Sequence, residues 1–331
     1  MQPIAVHAPT AAAKISLCRP IFPARPSLPV PLCDMRARLS TIVVNFNAGP
    51  LLRTCVDSLH GCPLDVEIIV VDNASTDGSL GAITGLVGVQ VIQNPVNVGF
   101  ATACNSGARA ATAPFLLFLN PDCSFEPGAL VKLLDAFGAD PQVGMAGGFL
   151  TNMDGTEQAG GRRAVPTPWR SFVRAFGLAR FSNRWPRLFF DFHLHRQKLP
   201  DKAIEVEAIS GACMMVQRAA MQDVGDWDEG YFLHCEDLDL CMRFRQKGWK
   251  ILFVPSAQIT HVLGVCGRSR PLFVEWHKHK GMMRFYRKFF QHQYPSFLMG
   301  LVGLGVWLRF ALVVTFHSAK RVGQALGFGR G

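Results

Sequence analysis

Apolar residues in this chain gather into short blocks that stop on polar loops. Residues 39–44 and 66–71 are β-branched runs of strand length, and residues 50–59 between them are amphipathic at helical spacing. The pattern predicts a strand, a helix and a second strand. A third run at 89–92, a helical stretch at 101–111 and a fourth strand at 115–119 continue the alternation. Such alternation is that of an α/β protein with a parallel sheet flanked by helices. Across residues 160–201 the period dissolves among Arg, Trp, Phe and Pro, which reads as a variable, partly helical insertion. Order returns over 206–216, then as a helix from Arg218, a loop through 231–235, a helix over 236–247 and a strand at 250–254. Residues 297–316 are almost continuously apolar, broken by Arg309 and three glycines.

Composition excludes wholesale disorder: 331 residues with 49% hydrophobic and 18% charged can bury a large core. The formal charge of +10 would suit nucleic acid if it were evenly spread, and it is not. Residues 39–161 hold three basic against eleven acidic side chains, and residues 199–265 hold six against ten. The positive excess lies in 162–198, with nine Lys or Arg against Asp191, and in 266–331, with eleven against Glu275. Two basic regions therefore flank an acidic centre, an arrangement suited to a phosphorylated ligand or an anionic membrane surface, or to solvated helix faces. No nucleic-acid motif accompanies the charge, so no nucleic-acid partner is expected. The ten cysteines follow no C-x-x-C spacing and read as reduced core residues. The pairs His193/His195 and His277/His279 lack companion ligands at zinc spacing and are assigned no metal. The Asn73-Ala74-Ser75 sequon is discounted, because nothing indicates secretion.

Polar side chains concentrate where ligands of such sheets bind. Asn45, Asn47, Asp72, Asn73, Asn120 and Asp122 all fall at the carboxyl ends of the expected strands. Asp72 could accept a hydrogen bond from the ring N–H of a uracil or thymine, and it equally fits the turn chemistry of its D-N-A-S-T-D-G-S surroundings. Asn120 and Asp122 offer oxygens that hard cations favour, and Asn-Pro-Asp also makes an ordinary turn. His261, which follows a strand, is a candidate second ligand. Glu236, Asp237 and Asp239 crowd three carboxylates at a helix start, where the macrodipole favours them. Neighbouring carboxylates also raise one another's pKa, and a base able to deprotonate a sugar hydroxyl is what glycosyl transfer needs; Asp237 is the preferred candidate.

Seven blocks in order, STIVVNFNAGPLL, IIVVDNASTDGS, NPVNVGFATACNSGARAA, FLNPDC, ISGACMMVQR, EDLDLCMRFRQKGW and ITHVLG, resemble those of inverting family-2 glycosyltransferases, in particular rhamnosyltransferase-like members. The resemblance covers about two-thirds of the chain. It implies a GT-A fold, a Rossmann-like mixed sheet, with a C-terminal helical extension. Position by position it implies that Asn45 and Asn47 line the nucleotide pocket, that Asp72, with Asn73 beside it, reads the base, and that Asn97, Gly99 and Asn105 contact nucleotide and ribose. It further implies Asn120 and Asp122 as the metal motif, with Asn120 replacing the usual first carboxylate, and His261 as a metal ligand for Mg2+ or Mn2+. Ser210, Gly211 and Ala212 would border sugar and acceptor, and Glu236 with Asp237 would form the acidic block that holds the catalytic base. His234 and Cys235 depart from the pattern, in which an aromatic residue often precedes that block, and leave acceptor preference open.

The implied activity is metal-dependent, inverting transfer of a sugar from a nucleotide-diphospho-sugar, with dTDP-rhamnose a candidate, to a glycan or lipid-linked saccharide in surface-polysaccharide synthesis. A non-catalytic nucleotide-sugar or glycan-binding protein on the same fold is the alternative; Asp122, Asp237 and His261 together argue against it. The organisation expected is a disordered extension over 1–38, a catalytic domain over 39–267 and a basic, apolar helical region over 268–331. Residues 297–316 are borderline in length for a membrane span, and Arg309 within them disfavours insertion by about 3 kcal/mol. An interfacial helix, or a helical cap on the core, fits better. Contact with a membrane surface through 268–321, on the cytoplasmic face, follows from that reading.

Overall fold

The structure, a computed structural model, describes residues 39–325 apart from 139, 183, 186–187, 190–193, 263 and 265–269. The expected extension over 1–38, His193 and the boundary at 267/268 lie outside the described residues. Strand β1 (Leu39–Asn45) is buried along its whole length because helices cover both faces of the sheet. Ile42 and Val44 join one core, while Leu39 and Val43 join the other. Helix α1 (Leu51–His60) puts Leu52, Cys55, Val56 and Leu59 into the second core and leads into β2 (Val66–Asp72). After β3 (Val89–Gln93) and α2 (Phe100–Ala110) comes β4 (Phe115–Leu119). These four strands are mutually parallel, in the order β3-β2-β1-β4, as the alternation predicts.

Beyond β4 the sheet is mixed. Three elements follow that the apolar pattern did not separate: β5 (Cys123–Phe125), α3 (Ala129–Gly138) and β6 (Val143–Thr151). The insertion comprises the short β7 (Arg162–Arg163), α4 (Pro168–Ala175) and β8 (Ile204–Glu205). The run expected over 206–216 is broken in two, β9 (Ala208–Ile209) and β10 (Cys213–Gln217). β10 enters the sheet with Cys213 beside Leu119 and runs antiparallel to β4 and β6, with the remaining order β4-β10-β6-β11-β5. Its direction follows from the route: the chain returns from the insertion at the carboxyl edge of β4 and must run back across the sheet.

Helices α5 (Arg218–Val224) and α6 (Glu236–Gln246) precede β11 (Lys250–His261). The sequence pattern ended this strand at Val254. Pro255 cannot donate to the ladder, and the register with β6 shifts between Val254 and Gln258, after which pairing resumes to the strand end. That extension sets His261 opposite Cys123 in the antiparallel β5–β11 pair, next to Asp122. The chain closes with α7 (Pro271–Phe290), which buries Met283, Phe285, Tyr286, Phe289 and Phe290 in the first core, and the 30-residue α8 (Ser296–Ala325).

Candidate active site

The parallel half of the sheet ends in a compact polar network. Asn45 and Asp72 stand in register at the ends of β1 and β2, and Asn45 Nδ2 donates to Asp72 Oδ1 at 2.7 Å. The same amide reaches Ser75 Oγ at 3.0 Å and Ser79 Oγ at 2.9 Å, while Ser75 N donates to Asp72 Oδ2 at 3.1 Å. Asn47, in the left-handed region at φ 52°, donates its N–H to Ser75 Oγ and accepts from Thr76 N at 2.8 Å. Asn73 bridges onward: its Nδ2 donates to the Gly99 carbonyl at 3.2 Å and its Oδ1 accepts from Asn94 at 2.8 Å. Asn97 Oδ1 accepts from Gly99 N at 3.0 Å. Gly99 has φ 89°, and a Cβ there would lie 2.7 Å from the Phe232 carbonyl oxygen, so only glycine fits. Asn105 is used differently. Its amide donates to the Trp227 carbonyl at 3.0 Å and to Glu229 Oε1 at 2.9 Å, and its Oδ1 accepts from Trp227 N at 3.0 Å. All these bonds tie α2 to the 227–229 segment.

Asn120, Asp122 and His261 come together across 139 and more residues of sequence. His261 Nε2 is 3.2 Å from Asp122 Oδ1 and 3.3 Å from Asn120 Nδ2. The other ring nitrogen, Nδ1, is 2.6 Å from Gln158 Oε1. Gln158 Nε2 donates to the His261 carbonyl at 3.2 Å and to Asn152 Oδ1 at 3.2 Å, which fixes its amide with the oxygen toward the ring. Nδ1 therefore carries a proton, and Nε2 is the ring nitrogen that faces Asp122. Asp122 Oδ1 is buried and receives no hydrogen bond from the described residues. Two electron-rich atoms this close are reconciled by a shared proton or by a cation that takes both. Cys123 completes a group of ligand atoms within 4.8 Å of one another. Its thiol donates to the Ala212 carbonyl at 3.3 Å, and burial, reinforced by Cys213, pushes it well above its ordinary range. Sulfur is a soft ligand that Mg2+ and Mn2+ disfavour, so the carboxylate and imidazole are the pair that fits such a divalent cation.

The three carboxylates at the start of α6 separate into three environments. Asp239 is fully buried and structural: Oδ1 accepts from Arg243 Nε at 2.6 Å, and Oδ2 meets Tyr231 OH at 3.2 Å and Lys288 Nζ at 2.6 Å. Glu236 is buried with Oε2 unbonded, and burial, reinforced by Asp237, pushes its carboxyl up to about 8. Asp237 keeps 16% side-chain exposure. Its Oδ2 takes an ion pair from Arg163 and the Gly211 N–H at 3.2 Å, and its Oδ1 accepts from Leu238 N at 2.7 Å. A carboxylate offers roughly four acceptor positions, so one remains for a further donor. His234 and Cys235, immediately before, both sit in the left-handed region at φ 67° and 72°. Burial, aided by Lys278, pushes the His234 imidazole down to about 4 and leaves it neutral near pH 7.

Ser210, Gly211 and Ala212 connect the two groups. The Ala212 carbonyl accepts from Asn120 N at 2.9 Å, while Gly211 N reaches Asp237. The acid on α6 and the Asn-Pro-Asp turn thus share one tripeptide. Sequence reasoning missed Gln158 and Arg163. Neither belongs to a polar cluster at a strand end, and their partners lie 103 and 74 positions away.

The chain as a whole is similar to known glycosyltransferases. The model of glycosyl transferase family 2 matches residues 40–225, and that of glycosyl transferase family group 2 matches residues 163–319. An N-acetylglucosaminyl-diphospho-decaprenol L-rhamnosyltransferase of Mycobacterium tuberculosis (strain H37Rv) is 30% identical over 236 residues, covering 67% of this chain and 75% of that enzyme. Among solved structures, the mannosyltransferase PcManGT from Pyrobaculum calidifontis, in complex with GDP-Man and Mn2+, superposes with TM-score 0.52 at 16% identity over 89% of this chain and 76% of that one. GalNAc-T7 with UDP, GalNAc and Mn2+ gives TM-score 0.52 at 19% identity over 68% of this chain, spanning 44% of the GalNAc-T7 chain. The mixed sheet with C-terminal helices is the GT-A fold these structures share.

Proposed function

The chain belongs to glycosyl transferase family 2, and on that premise we propose that it transfers rhamnose from dTDP-rhamnose, with inversion, to a lipid-linked saccharide during surface-polysaccharide synthesis. The observation that carries the reading is the tripeptide 210–212, hydrogen-bonded on one side to the Asn120 turn and on the other to Asp237. A leaving-group site and a base site so joined match a single displacement at one carbon. The donor is favoured by the L-rhamnosyltransferase at 30% identity, and a lipid-linked acceptor by the same relative's decaprenyl substrate.

In this mechanism Asn45, Asn47, Asp72 and Asn73, with Asn97 and Gly99, hold the nucleotide, and Asp72 supplies the acceptor for the base N–H. Asn120, Asp122 and His261 would hold a Mg2+ or Mn2+, whose charge neutralises the departing diphosphate. Asp237, its remaining acceptor position open, takes the proton of the acceptor hydroxyl as that oxygen attacks the anomeric carbon. Ser210 and Gly211 border the sugar. Arg163 and the Gly211 N–H hold Asp237 in position, and Glu236 lies buried behind it. We put the reaction at the cytoplasmic face of a membrane; among the described residues seven cysteines are free, six of them buried, which suits a reducing compartment. The catalytic unit proposed runs over 39–267 and the membrane-facing unit over 268–331.

Calorimetric titration of the purified protein with dTDP, UDP, GDP and dTDP-rhamnose, with and without Mn2+, tests this reading. Mn2+-dependent binding selective for thymidine nucleotides supports it. Selective binding of UDP or GDP would replace the donor, and failure of every nucleotide to bind a folded protein would move the reading to a non-catalytic binder.

A further inference from the structure

Helices α7 and α8 pack antiparallel along one side. Trp276 meets Trp307 at 5.3 Å and Phe310 at 5.6 Å, Arg309 reaches His279 at 3.3 Å, and Met283 lies against Gly303. On the other side of α8, Phe297, Leu301, Leu304, Leu308, Leu312 and Phe316 are 58–72% exposed. Their spacing of three or four residues makes one continuous stripe. Within the most apolar window of the helix only 11% is buried, at mean hydropathy 2.1. An apolar stripe of this length on a water-soluble surface marks a contact site.

Charge selects the occupant. From residue 266 onward the chain carries eleven Lys or Arg against Glu275. A second copy seated on the stripe would bring like charges together, whereas an anionic bilayer neutralises them. Packing selects the orientation. Arg284 and Lys288 of α7 hold Asp228 at 2.7 and 2.6 Å, and Lys288 also holds Asp239 at the start of α6. α7 therefore stays on the catalytic domain, with Lys278 and Lys280 on the same helix. A spanning α8 would have to leave α7 or draw these cations into hydrocarbon, which is strongly unfavourable. We propose that α8 lies in the plane of an anionic bilayer, its leucine stripe in the acyl boundary and its opposite side still packed on α7. The proposal rests on the membrane-surface part of the function above and specifies the surface that makes it.

A second patch extends the same contact. Trp169, Phe172, Phe176 and Trp185 are 44–66% exposed and interleave with arginines along 169–185. Aromatic and basic side chains in combination suit the headgroup layer. This segment starts beside the α7–α8 junction: Ser171 Oγ and Tyr286 OH are 2.7 Å apart, and Thr167 is hydrogen-bonded to Tyr294.

Vesicle flotation of the full chain tests the proposal, with phosphatidylcholine alone and with added phosphatidylglycerol. Binding is expected only with the anionic lipid, and Leu304→Glu with Leu308→Glu should weaken it about 100-fold, at roughly tenfold per leucine. Turnover of a short-chain, water-soluble acceptor should be unchanged in that variant, which also shows that it is folded. Fluorophores attached in turn at positions 301, 308 and 316 should be quenched by lipid nitroxides at one shallow depth. A depth that deepens toward the middle of the helix overturns the in-plane orientation. A protein that ignores anionic vesicles and is dimeric by light scattering, monomeric once the two leucines are replaced, assigns the stripe to a second copy. Flotation reads no chemistry, so these results stand apart from the donor titration.

Discussion

The two halves of the candidate site are built differently. On the parallel side, Asn45, Asp72, Ser75 and Ser79 hydrogen-bond to one another within 34 residues of sequence, and the loops that carry them are consecutive strand-to-helix connections. On the mixed side, contacts reach up to 141 positions along the sequence, and polar atoms are left open: Asp122 Oδ1, Glu236 Oε2 and an acceptor position on Asp237. The first half is largely closed on itself, with Asn45 Oδ1 unbonded and acceptor positions left on Asp72, and resembles a rigid holder. The second keeps the capacity that chemistry requires. Binding and reaction should therefore be separable by mutation.

Asp237→Asn is the sharpest test of that separation. Loss of a positioned base lowers turnover by about a thousandfold, with donor affinity unchanged in calorimetry; a near-normal rate would remove Asp237 as the base. Asp122→Ala should weaken Mn2+-dependent donor binding about 100-fold while nucleotide binding without metal stays as it was. Asn105→Leu addresses the anchoring of α2 on the 227–229 segment instead. It leaves the Trp227 N–H and carbonyl unpaired and should lower unfolding free energy by about 2 kcal/mol, read by denaturant titration, with little change in kcat. Gln158→Leu frees the His261 ring and should reduce metal-dependent affinity about tenfold. If it instead lowers only stability, Gln158 belongs to the holder.

A last effect is a slope with pH. The Glu236 carboxyl rises from an ordinary 4.5 to about 8 in the folded protein. Between those values the folded state holds a proton that the unfolded chain has released, so stability falls as pH rises through the window and levels off above about 8. The slope is at most about 1.4 kcal/mol per pH unit, and Glu236→Gln should flatten it in pH-dependent denaturant melts.

Legibility in the sequence divided along the same line. β1 to β4 and the polar residues at their ends could be read because apolar runs stop abruptly at Asn45, Asp72 and Asn120. The antiparallel β10 could not, because nothing local in 206–216 records the direction in which it enters the sheet. Pro255 concealed the far end of β11, since a strand bulged around a proline looks like one that has ended. Gln158 and Arg163 carry no local signal at all; they gain meaning only from His261 and Asp237. Asn105 shows the converse. The resemblance grouped it with the nucleotide segment, and its side chain hydrogen-bonds Trp227 and Glu229.

A Cβ on Gly281 would lie 2.6 Å from the His234 carbonyl oxygen and 3.4 Å from Cys235 Cβ, so α7 touches, backbone to backbone, the loop that presents Glu236 and Asp237. Over evolutionary time this makes the two faces of the C-terminal helices unequal. The exposed apolar stripe of α8 can exchange among apolar residues at little structural consequence, while any side chain at position 281 would meet the His234 carbonyl. A residue larger than glycine there requires the acidic loop to move.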